Sequence, residues 1–150
     1  MAKKAIEAAF PEEKKNEQAA EEPTRVTRRP FAVWEVGDET YKLKLTTSDI
    51  MELEKRYGTN LLDVISPDTD TGMPALAVML DITHTAAQKF HHGLKRSALV
   101  DLFDRYVDDG GSQFDFYLSV FTDIFVVSGF FSKARVERMQ NSLGALNDEQ

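Results

Sequence analysis

The sequence has 150 residues and no cysteine, which excludes a disulfide framework, thiolate catalysis and any cysteine-ligated zinc or iron–sulfur site. Its 42% hydrophobic and 29% charged residues fit a soluble globular domain, and a net charge of −7 argues against nucleic acid, which needs basic surface. The eight glycines fall in no phosphate-loop spacing, so no nucleotide-binding loop is expected.

Residues 1–30 hold seven Lys/Arg and six Glu with scattered apolar residues. Such a segment cannot bury enough surface to offset its ordering entropy, so a disordered charged tail is expected. Glu7, Glu12 and Glu13 break up any apolar signal region, which points to the cytoplasm. Arg25, Arg28 and Arg29 form a small basic knot, read either as a solvated linker or as a contact to an acidic partner.

From Phe31 to residue 140 the sequence reads as one α+β domain, and residues 141–150 read as a frayed tail. Between 31 and 45 the pattern alternates. Ala32, Trp34 and Val36 share one face; Phe31, Val33 and Glu35 share the other. Gly37-Asp38 supplies a tight turn, and Tyr41, Leu43 and Leu45 then oppose Lys42 and Lys44. This is a β-hairpin signal. A lone hairpin is marginal in water, so it must pack on helices or on another chain's strands.

The period then becomes helical. Thr46 or Thr47 caps a helix, with Asp49 completing a capping box, and Gly58 suits its C-terminal end. Asn60 caps a short turn over 61–65. Residues 66–73 are turn formers. Asp68 and Asp70 mimic the start of a calcium loop, but Gly72 comes one place early and Met79 stands where the bidentate glutamate belongs. Pro74 opens a helix expected to run to Gly93, with Asp81, Thr85, Gln88 and His92 as its polar stripe. Ser97 caps the next helix, whose core stripe is Leu99, Leu102, Phe103 and Tyr106; Gly110-Gly111 ends it.

Ser112 opens the last strong helix, and here the aromatic load is unusual. Of fifteen aromatic residues, seven lie between Phe114 and Phe131. Asp115 and Asp123 interrupt this stretch at about 2.5–3.5 kcal/mol each for insertion, so a membrane span is not expected. A helix apolar around most of its circumference must be covered on most sides. It is then the central helix of the bundle, or half core and half docking surface. A further helical stretch is expected over 134–139.

No catalytic or metal constellation emerges. His84 and His91, at i and i+7, lie about 10 Å apart, too far to share a metal. Capping or core-edge roles suit them better. No Gly-x-Ser-x-Gly elbow is present, and the carboxylate pairs read as solvated faces. An enzyme, a cofactor and a bound metal are therefore not expected.

The run from Tyr41 to Gly58, followed by Asn60-Leu-Leu-Asp63, resembles the opening of tail assembly chaperones of long-tailed bacteriophages. Gln88–Lys95 and Asp101–Gly110 resemble their helical middle, and Ser128-Gly-Phe-Phe131 their close. The resemblance implies a non-enzymatic role. Such proteins transiently coat the long apolar tape-measure protein, keep it soluble until tail tube subunits arrive, and are absent from the mature virion. The expected contacts are Phe121, Phe125, Phe130 and Phe131, with Trp34 on the hairpin as a second point. A structural tail or connector protein retained in the virion is the alternative. A host-interaction adaptor using the basic knot is a third. The sequence leaves oligomeric state open, a homo-oligomer included.

Overall fold

In a computed structural model, residues 28–66, 72–132 and 137–138 are described. The expected tail over 1–27, the residue Arg25, the loop over 67–71 and nearly all of the region after 132 lie outside them. From residue 28 to 132 the described residues form an α+β fold: one antiparallel hairpin followed by five helices.

Strands β1 (Ala32–Val36) and β2 (Glu39–Leu43) pair with Trp34 opposite Tyr41 and Val36 opposite Glu39. Gly37 has φ 61° while Asp38 does not enter the left-handed region, as a two-residue turn of type II′ requires. The alternation read from the sequence holds: Ala32, Trp34, Val36, Leu43 and Leu45 are buried and Val33, Glu35 and Lys42 are exposed. The buried face explains how so short a ribbon persists.

Helix α1 (Thr47–Tyr57) begins with the capping box at Thr46 and Asp49, each bonding the other's backbone, and ends at Gly58 with φ 72°. Asn60 caps α2 (Leu61–Ile65) through Asp63 N–H. The Glu54 carboxylate also accepts the Leu61 N–H (2.7 Å), tying α2 back to α1.

Helix α3 (Leu76–Ala87) is shorter than expected. The chain leaves the helix after Gln88, where Phe90 and His91 N–H both turn back to Ala87 O. Gln88 Nε2 then donates to His84 O and Leu94 O, holding the turn, so Gly93 is not the stop. It is this helix that occupies the centre. Met79, Leu80, Asp81, Ile82, Thr83, Ala86 and Ala87 are buried, and α1, β2, α4 and the last helix all pack on it. Asp81, expected on a solvated stripe, is inside.

Helix α4 (Arg96–Asp108) starts just before the expected Ser97 cap, with Lys95 at the N-cap and no side-chain cap bond. Its buried residues are Leu99, Leu102 and Phe103; Tyr106 packs at the core edge and closely covers Gly111. Ser112 caps the last helix through Asp115 N–H (3.0 Å). This helix, α5, runs through Gln113–Phe116, a π turn at Tyr117–Phe121, and Thr122–Val127. Thr122 Oγ1 donates to Tyr117 O inside the widened turn. The π turn puts one extra residue into the ladder, which rotates the following apolar residues relative to those before it. Gly129 (φ 76°) ends the helix. At 137–138 the chain is helical and exposed, in keeping with the helix expected over 134–139.

Backbone bonds at the end of the hairpin seat it on this framework. Lys44 N–H donates to Ala86 O of α3, and Leu45 N–H to Ser128 Oγ at the end of α5.

Candidate functional site

The aromatic chain at the end of α5 is the part of the molecule that the sequence marks for docking. Its rings touch in series. Phe121 meets Phe125 edge-on at 5.1 Å, Phe125 meets Phe130 at 5.3 Å, and Phe130 meets Phe131 at 5.0 Å. Tyr117 stacks on Phe121 from one turn before. Such pairs add about 0.5–1.5 kcal/mol each beyond the area they bury.

The positions of the five expected contacts divide. Trp34, Phe121 and Phe125 are each only 1% exposed. They are core residues, and docking through them is corrected by this burial: in this fold no partner reaches them. The hairpin, α3 and α5 itself cover the surplus that the sequence left open. Trp34 sits against Phe116 (5.1 Å) and Tyr106 (5.8 Å), both edge-on. Among the described residues its indole N–H has no nitrogen or oxygen partner, an unusual cost for a buried donor. Phe130 and Phe131 are half-buried and reach the surface. Beside them lies a small cavity of about 40 Å³, bounded by Ile65, Tyr117, Thr122, Phe125 and Phe131 among others. It holds little more than a water. Burial pushes the Tyr117 phenol above its ordinary pKa.

The basic knot ends on this same region. Arg29 grips Asp123 of α5 with both guanidinium nitrogens, the Nη1–Oδ2 distance being 3.0 Å, and Arg28 Nη2 donates to Phe131 O (3.3 Å). The acidic partner of Arg29 is therefore within its own chain. The hydrogen bond to Asp123 raises the Arg29 pKa, with burial opposing. The pair is open to solvent and worth little in stability, but it ties Arg29, just before β1, to α5.

A second polar cluster joins three helices. Asp81 of α3 accepts two bonds from Arg56 Nη1 (2.8 and 2.9 Å), one from Tyr57 OH (2.6 Å) and a longer one from Arg96 (3.4 Å). Burial first, then the bond to Asp81, pushes the Tyr57 phenol up to about 12. With every side chain used in packing α1, α3 and α4 together, the cluster reads as a structural clamp.

His84 and His91 are structural too. His84 Nε2 lies 2.9 Å from Leu94 O and His91 Nε2 accepts from Lys42 N–H (3.0 Å). That bond places the His91 proton on Nδ1. Burial, and secondarily the Lys42 ammonium, hold its pKa below 6.5. Among the described residues no group of His, Asp and Glu is arranged to hold a metal ion, and no helix is long and apolar enough to cross a membrane.

The apolar residues most open to solvent are not the five expected contacts. Phe114 is 52% exposed, and Val33, Met51, Leu62, Val100 and Val107 are also open to solvent. For Val100 and Val107 the signal was available. They stand at i and i+7 on one face of α4, between the core stripe of Leu99 and Phe103 and the solvated Asp104.

Residues 28–147 match the model of a family described as a family of unknown function, DUF6096. No curated protein and no solved structure matches the chain.

Proposed function

The chain belongs to that family, and from its sequence motifs and surface we propose that it is a phage tail assembly chaperone. In this reading it binds the tape-measure protein transiently in the bacterial cytoplasm, keeps it soluble, helps recruit tail tube subunits and leaves before the virion is complete. The observation that carries the reading is the order and spacing of the motifs from Tyr41 to Phe131, which resemble those of such chaperones across the domain. The same motifs do the folding work here. Thr46, Asp49 and Gly58 bound α1, Asn60 caps α2, and Ser128 holds the hairpin to α5.

The contact surface in this proposal is narrower than the aromatic count suggests. It consists of the half-buried Phe130 and Phe131 with Tyr117 beside them, and it leaves Trp34, Phe121 and Phe125 to the core. A small apolar patch gives modest affinity per copy, which suits release, and many copies along one long client supply avidity. The net charge of −7 keeps a loaded complex soluble.

Co-expression of the full chain with the tape-measure protein of the same genome tests this. The expected result is that the tape measure moves into the soluble fraction and co-purifies with the chain. A tape measure that is equally soluble and unbound with or without the chain overturns the proposal.

A further inference from the structure

The hairpin has two outer edges, and the fold treats them differently. On β2 the outward N–H of Lys42 is taken by His91 Nε2, and just past the strand that of Lys44 is taken by Ala86 O, each at 3.0 Å. Those bonds fix the phase of the ladder. In an antiparallel pair, residues alternately turn their N–H and C=O toward the partner strand and away from it. Val33, opposite Lys42, and Glu35, opposite Thr40, therefore point theirs away from β2. Neither backbone has a hydrogen-bond partner among the described residues. Buried backbone groups are almost always paired, so this edge opens to water. The 40% exposure of Val33 and the exposure of Glu35 agree. The edge has no proline, lysine or bulge to guard it, and Glu35 is its one charge.

We propose that β1 pairs antiparallel with β1 of a second copy, forming a continuous four-stranded sheet in the order β2, β1, β1 of the second copy, β2 of the second copy. A two-fold axis at Trp34 sets Val33 of one copy opposite Glu35 of the other. Each such pair exchanges both backbone bonds, so every outward group of the edge is satisfied by the same strand that offers it. This register also keeps the two Glu35 carboxylates from facing each other, which a register centred on Glu35 would not. The pairing is self-complementary and self-limiting. Because His91 and Ala86 already take the Lys42 and Lys44 N–H groups, the β2 side cannot offer a full ladder, so the sheet closes as a dimer and does not extend into a fibre. Two five-residue strands bury less than the standard interface of about 1,200–2,000 Å², so the dimer forms with rising concentration and is not obligate. This inference stands apart from the tail-assembly reading.

Sedimentation of the full chain from about 10 µM to about 1 mM tests it, together with amide hydrogen exchange at both ends of that range. The expected result is a monomer that becomes a dimer, with Val33 and Glu35 amides gaining protection as it does. Val33→Pro removes an outward donor that β2 does not use, so the hairpin keeps its own ladder. In this variant the dimer is lost while the circular dichroism spectrum stays native. A chain that is monomeric throughout overturns the proposal, as does a dimer that survives in folded V33P. The exchange measurement needs no variant. Amides of Val33 and Glu35 that exchange freely at every concentration overturn it, and so does full protection in the monomer, which would mean that another segment of the chain fills the edge.

Discussion

Replacing Asp81 by Asn tests how far one buried carboxylate holds the helices together. Asp81 is 5% exposed and receives Arg56, Tyr57 and Arg96 from two other helices. Asparagine keeps the shape but loses the charge, and its amide N–H₂ faces donors. Hydrogen bonds to a charged group contribute about 1.5–3 kcal/mol each. Breaking a fully buried ion pair costs about 3–5 kcal/mol because a charge is stranded. Here the stranding is mild, since the Arg56 and Arg96 side chains are 45% and 54% exposed and regain water. The variant is relieved of desolvating an ion as well. The balance is a loss of about 2–3 kcal/mol, or a fall in Tm of about 6–15 °C for a domain of this size. Urea unfolding followed by the fluorescence of Trp34, the single tryptophan, measures it. Tyr57→Phe supplies the control: it costs about 1 kcal/mol in the native background and much less when Asp81 is already Asn, because the two share one bond. A loss below about 0.5 kcal/mol in D81N, or strict additivity with Y57F, refutes the clamp.

Other outcomes follow from single contacts. Gly111→Ala drives a Cβ into the Tyr106 ring, so it is expected to cost about 1–3 kcal/mol and to be read as a lower urea midpoint. Thr46→Ala removes the side-chain half of the capping box and is expected to cost about 1 kcal/mol in the same assay. His91 binds its proton more weakly folded than unfolded. Its contribution to stability is therefore complete above about pH 6.5 and drains as the pH falls from there through the lower folded pKa. Urea midpoints should decline across that window, and the decline should flatten in His91→Gln.

Much of the fold is legible in the sequence because its signals are local. The alternation from Ala32 to Val36, the glycine at the turn, the Thr46–Asp49 box and the Ser112 cap each act within a few residues, and each does as read. The misreadings lie where distant contacts decide. Helix α3 stops at Ala87 because Gln88 reaches Leu94, which periodicity does not reveal. Asp81 looks like a solvated residue until Arg56 and Tyr57 arrive from another helix. The candidate site suffered most from this. An aromatic run states how much ring surface must be covered, but not that α3 and the hairpin of the same chain cover Trp34, Phe121 and Phe125. The π turn, which re-aims the second half of α5, has no marker in the sequence that we recognise.

The proposed function has this chain serve assembly and then depart. Quantitative mass spectrometry of assembling lysates and of purified particles from the same phage tests it most directly. The account predicts the chain bound to the tape-measure protein in tail intermediates and missing from finished virions. Stoichiometric retention in the purified particle would contradict it and would mark the chain as a structural tail or connector protein.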